Sequence, residues 1–163
     1  MPEPFRVLVT ASRDWSRSDL IRATFRQVER EHPGCQFVLV HGQCDPRHPR
    51  TGHAIRWAVA TRLTPEQQRQ LTGGDWLCHL VAADLGWDTE PHPADWQQHR
   101  RSAGFRRNEH MVRLGASICL AFSMPCTAPR CAGRPAHGSH GTAHCADLAE
   151  KAGIQVRRFA PAT

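Results

Sequence analysis

Short apolar runs alternating with helical segments constrain this chain more than any other feature. Phe5 to Thr10, Gln36 to Val40, Ser117 to Phe122 and Ile154 to Phe159 are each long enough for a buried strand and too short for a core helix. Between the first two lies a helix pattern from Ser16 to His32, with Ser16 or Ser18 as cap and Asp19 in the first turn. Leu20, Ile21, Phe25 and Val28 share one face, and Pro33-Gly34 stops the helix. Adjacent parallel strands need such a crossover, so the succession predicts a parallel sheet.

The rest of the chain continues the pattern. Gly52 to Leu63 reads as helical. Thr64-Pro65-Glu66 is a helix start, and the stretch to Leu85 holds one or two helices broken at Gly73-Gly74. Proline chemistry makes Glu90-Pro91-His92-Pro93 extended, at the end of a third strand. Ala103 to Leu114 is a helix ended by Gly115, and Gly141 to Ala152 is one ended by Gly153. The expectation is an α/β fold, a Rossmann-like three-layer sandwich with a mostly parallel central sheet. It is one domain over residues 1–163, with a Cys/His-rich loop at about 123–140.

The formal charge of +6 favours anionic partners. Lys151 is the sole lysine, which points to a GC-rich genome, actinobacterial or phage-like, and makes any phosphate contact an arginine fork. The arginines are scattered, so no nucleic-acid stripe is visible, and nucleic acid is not the favoured partner. No apolar run reaches the ~20 residues of a membrane span, and the N-terminus lacks the regions of a signal peptide. A cytoplasmic location without membrane contact is expected. Seven cysteines, an odd number, argue against a disulfide framework there.

In open parallel sheets, ligands sit beyond the carboxyl ends of the strands, where strand order reverses. The segments following the apolar runs are therefore the candidates: Thr10 to Trp15, His41 to Cys44, His92 with Asp95 and Trp96, and Gly138 to Thr142. Gly138, Ser139, Gly141 and Thr142 at a helix start let backbone N–H groups approach an anion, with hydroxyls beside them. Taken alone, such a turn equally well caps a helix. Arg106, Arg107 and Asn108 suit phosphate and ribose or base, but are also a common solvated helix face.

Taken in order, the segments RVLVTASRDW, HG, HPADW, AGFRRNEHMV, GASICLAF and GSHGTAHCADLAEKAGIQV resemble the YspA-like branch of the SLOG superfamily. That superfamily includes the Lonely-Guy phosphoribohydrolases and the DNA-processing protein DprA. The resemblance runs from Arg6 to Val156 and implies binding of a nucleotide or nucleotide derivative. Ser12, Arg13, Asp14, Trp15, Arg107, Asn108, Gly138, Ser139, Gly141 and Thr142 match its motifs. Ala11 replaces a glycine. The Gly-Ala-Asp triplet expected after the second strand is represented only by Gly52-His53-Ala54, so its carboxylate is missing. Where the hydrolase branch carries a glutamate, this chain has Cys145. A thiol is a poor acid or base at neutral pH without a strong pKa shift, which turns the expectation from hydrolysis towards binding.

The expected roles follow. The amides near Ser139 to Thr142, with the Ser12 and Thr142 hydroxyls, hold a phosphate. Arg13 and Arg107 neutralise it, Asn108 and Asp95 orient ribose or base, Trp15 or Trp96 stacks on the ring, and His41 and Gly42 lie beneath. The ranking is a sensor, carrier or sequestering protein first, a phosphoribohydrolase-type enzyme second and a nucleic-acid binder third. Relatives of this kind imply a homodimer. Cys126, Cys131, His137 and Cys145 are compatible with a tetrahedral structural zinc that would order a loop poor in apolar residues.

Overall fold

The computed structural model describes residues 2–162. The strands are β1 (Phe5–Ala11), β2 (Phe37–His41), β3 (Asp88–Pro91), β4 (Ile118–Phe122) and β5 (Val156–Phe159). They form one sheet in the order β3-β2-β1-β4-β5, parallel at every pairing. The helices are α1 (Ser18–Glu31), α2 (Trp57–Ala60), α3 (Pro65–Gln70), α4 (Gly74–Asp84), α5 (Trp96–His99), α6 (Ala103–Arg113) and α7 (His140–Lys151). No helix among the described residues is long and apolar enough to cross a membrane.

Strand periodicity divides the core. Val7, Val9, Leu39, Ile118, Leu120 and Phe122 face Ile21, Phe25 and Val28 of α1 and Trp76, Leu77 and Val81 of α4. The alternate residues Leu8, Val40 and Cys119 face Met111 and Val112 of α6 and Cys145 and Ala149 of α7. The sheet is thus covered on both faces, which is why its central strands read as unbroken apolar runs. Edge strand β3 is polar by contrast, and Glu90 there forms a two-toothed ion pair with Arg6 of β1.

Two local expectations need correction. The helix expected over residues 52–63 shrinks to Trp57–Ala60. Arg47 and Thr72 exchange backbone hydrogen bonds of 2.8 and 3.0 Å, and the Ile55 N–H donates to the Pro46 carbonyl at 2.8 Å. Those bonds commit the backbone on both sides of the loop to bridge pairing rather than to a helical ladder. The start of α1 is not capped by Ser16 or Ser18 either. Arg17 holds the cap position with no side-chain cap bond, and its guanidinium pairs with Asp19. Thr64, as expected, forms a capping box with Gln67 and has Pro65 behind it.

Gly74 is fixed by contact. A Cβ there would strike the Ala11 side chain and come within 2.9 Å of the Ser12 carbonyl oxygen, both at the end of β1. An alanine normally favours a helix by about 1 kcal/mol over glycine. Gly74→Ala is expected to act in the opposite direction and destabilise the protein by about 2 kcal/mol, as overpacking against backbone does. Urea unfolding at constant slope measures it.

Candidate functional site

The order of strands reverses between β1 and β4, which stay paired to their last residues, Ala11 and Phe122. A cavity of about 590 Å³ opens at that point, a size that suits a small ligand. Ser12 directly follows β1. Its N–H donates to the Phe122 carbonyl at 2.9 Å, and its carbonyl accepts from the Gly74 N–H at 3.1 Å. Its hydroxyl accepts from the Met124 N–H at 2.8 Å and meets the Ser139 hydroxyl at 2.7 Å. Ser139 in turn donates to Thr142 at 2.9 Å. Three hydroxyls therefore run in a chain from β1 to the first turn of α7.

Ser139 occupies the cap position of α7, yet its side chain caps no helix amide because its hydroxyl is engaged in that chain. Among the described residues, the N–H groups of His140, Gly141 and Thr142 have no hydrogen-bond acceptor. Unsatisfied N–H groups at the positive end of a twelve-residue helix form an anion-binding arrangement.

The opposite wall comes from α6. The Arg107 guanidinium donates to the Gly42 carbonyl, to Asn108 Oδ1 at 2.9 Å and towards Cys44 Sγ at 3.8 Å. A Cβ at Gly42 would fall on that guanidinium and push it from this position. Asn108 is buried and ties α6 to α7 by donating to the Gly141 carbonyl at 3.2 Å. Arg13 lies 5.8 Å from the centre of the Trp96 ring, which is half exposed at the mouth.

Thr10, Ser12, Arg13, Asp14, Gly42, Trp96, Arg107, Asn108, Ser139, Gly141 and Thr142 thus all line this one cleft. Five other candidates lie elsewhere. Trp15 is fully buried against Phe122, and its indole N–H is spent on the Arg17 carbonyl, so it is not available for stacking on a ligand. Asp95 caps α5 by accepting from the Gln98 N–H at 2.9 Å. Arg106 is exposed and does not line the cleft, although Phe105 and Arg107 on either side of it do. Gly138 packs on Ser123 outside the cleft. His41 lies below it, completely buried among Trp57 and His79.

The sequence reading missed Asp75, Arg47 and Arg101, which also line the cleft. Asp75 is buried in the first turn of α4 and accepts from the Cys44 N–H at 3.0 Å. A buried carboxylate is thus present beside the strand ends, carried by Asp75 after Gly73-Gly74. Its signal was the glycine pair at the helix start, which read only as a helix break. Burial, and then Asp75, pushes the Cys44 thiol up to about 11.

Beside the cleft, ligand atoms of Cys126, Cys131, His137 and His140 all lie within 4.8 Å of one another, a group that could hold a metal ion. Cys131 Sγ is 3.2 Å from His140 Nε2. Cys145 does not belong to this group. It is fully buried in the layer between α7 and the sheet, and burial pushes its thiol up to about 11. The first residue of α7, His140, stands in its place. The Cys145 side chain lies on the helix face turned to the sheet, which periodicity alone did not separate from the loop.

No family model matches the chain. It is 34% identical over 157 residues to the Gene 61 protein of Mycobacterium phage D29, covering 94% of this chain and 95% of that protein.

Burial holds His41 neutral, lowering its pKa from 6.5 to about 4. The unfolded chain takes up this proton near pH 6.5 and the folded protein only near pH 4, so stability falls as pH drops through that window. The expected loss is about 3 kcal/mol at the rate of 1.36 kcal/mol per pKa unit. His41→Gln should flatten the pH dependence of denaturant unfolding between those limits. An unchanged slope would show that His41 does not set it.

Proposed function

In a chain that belongs to the family of the Gene 61 protein of Mycobacterium phage D29, we propose that the cleft binds a nucleotide or nucleotide derivative, in a sensing, carrying or sequestering role. The observation that carries this is the gathering of four unpaired arginines on the one cleft that the free amides of α7 also face; other arginines among the described residues, such as Arg62 and Arg113, are unpaired as well, so it is the clustering that counts. Arg6, Arg17, Arg22, Arg26, Arg157 and Arg158 each pair with a carboxylate. Arg13, Arg47, Arg101 and Arg107, which line the cleft, have no carboxylate within ion-pair distance among the described residues. Uncompensated guanidinium groups around free helix N–H groups call for an anionic ligand with more than one charge.

The ordered motifs and their resemblance to the YspA-like branch of the SLOG superfamily support the nucleotide as that anion. The phosphate lies on the Gly141 and Thr142 amides and the hydroxyl chain. Arg13 and Arg107 neutralise it, and the base stacks on Trp96 at the mouth. Asp75, with Asn108, orients the ribose. This binding reading supposes one chain or a homodimer and needs no nucleic acid. A second reading, hydrolysis of an N-glycosidic bond, gains one specific support in the buried carboxylate of Asp75, since Cys145 is a neutral, enclosed thiol. Incubation with a nucleotide panel while watching for free base separates the two.

Arg107→Ala and Arg13→Ala are each expected to weaken nucleotide binding by at least about tenfold by calorimetry, the worth of a charge-assisted hydrogen bond. Arg22→Ala, which breaks only the exposed pair with Asp84, should change it less than about twofold. Equal effects would sink the site.

We infer further that the Cys/His group holds a structural zinc. Tetrahedral zinc, with bonds of about 2.3 Å to sulfur and about 2.0 Å to nitrogen, sets its ligand atoms about 3.3–3.8 Å apart. The Cys131–His140 pair is already near that spacing at 3.2 Å. Four protein ligands leave no open position, which suits a structural rather than a catalytic ion. Elemental analysis should find close to one zinc per chain. Less than about a tenth of an equivalent excludes the centre.

A further inference from the structure

The metal group and the cleft share the same pieces of backbone. Cys126 sits on a wall of the cleft together with Thr127 and Ala128. His140 lies between Ser139 and Gly141, in the turn of α7 whose amides face the cleft. Chain from Pro125 to Ser139 forms a strap between these two walls. Its base is closed by the Cys126 N–H donating to the His137 carbonyl at 2.7 Å and the Ser139 N–H donating to the Met124 carbonyl at 3.0 Å. Within the strap, Cys131 alone is fully buried. No residue of the strap belongs to either apolar core cluster, and its three donor side chains converge on one point with His140 of α7.

We propose that this metal centre is a clamp on the ligand cleft: zinc joins the Cys126 wall to the α7 amide turn, so zinc and the anionic ligand bind cooperatively. The proposal rests on the nucleotide reading and on the zinc assignment above. Its physical content is an entropy already spent. With zinc bound, the strap and the first turn of α7 are ordered before the ligand arrives, and the ligand need not order them. Without zinc, His140 is released at the free end of α7, and the wall from Cys126 to Ala128 loses its tie to that turn. Linkage makes the effect mutual, so a nucleotide must tighten zinc by the factor by which zinc tightens the nucleotide.

The test uses the full chain, stripped of metal by a chelator and reloaded with zinc, with ADP as the titrant and hydrogen exchange of residues 125–142 followed in parallel. The expected result is ADP binding at least about tenfold tighter in the zinc form, within the usual range of coupling between sites. Exchange at Gly141 and Thr142 should slow on zinc addition even without ADP. Cys131→Ser, which removes one ligand and is remote from the ADP contacts, should behave as the stripped protein in the presence of zinc. The coupling is overturned if zinc fails to bind. It is equally overturned if zinc binds while ADP affinity and the exchange of the α7 turn stay the same. If ADP binds neither form, the nucleotide reading has failed, and slower exchange at Gly141 and Thr142 on zinc addition still upholds the clamp, while unchanged exchange overturns it.

Discussion

Ser12 ties together three of the segments that wall the cleft. Its carbonyl holds the start of α4, its N–H holds the end of β4, and its hydroxyl reaches both the strap and the cap of α7. One small residue can do this because it follows β1 where pairing with β2 has already ended, after Leu8 and Val40, so backbone groups on that side are open to the loops. Those groups must find other partners when buried. The loops that satisfy them are the loops that shape the site. Gly74 allows the closest of these approaches, and Asp75 enters the cleft as a result.

Charge is distributed with the same economy. Six arginines outside the cleft are paired with carboxylates, while Arg47, Arg107 and Arg13 at the cleft donate to backbone, to Asn108 or Cys44, or lie over Trp96. Arg107 shows how a cation can be fixed without being neutralised. Its carbonyl and amide partners orient the guanidinium but carry no net charge, so its field remains available to an anion. His41, below, takes the opposite course and is held neutral by burial. A second cation there would repel the ligand-binding arginines from inside the core.

Eleven of the sixteen candidate ligand residues line one cleft, because the parallel topology brings the strand ends to the same edge of the sheet. The misses have separate causes. Trp15 follows a loop motif but turns inward, since its ring fills the space above Phe122. Arg106 falls on the exposed part of α6, and the pair of arginines alone did not tell which of them meets the cleft. Asp75 was hidden by the length of chain that separates it from β2, and Cys145 by the unknown facing of α7.

The sequence by itself determined the alternation of strands and helices, the parallel sense that short crossovers impose, and the polar character of the strand ends. These follow from local periodicity and from proline and glycine chemistry, which act over a few residues. Tertiary structure alone decided which helix face meets the sheet, that Asp75 rather than Asp95 enters the cleft, and that His140 rather than Cys145 completes the metal group. Those choices depend on contacts between residues distant in the sequence, which local periodicity does not carry.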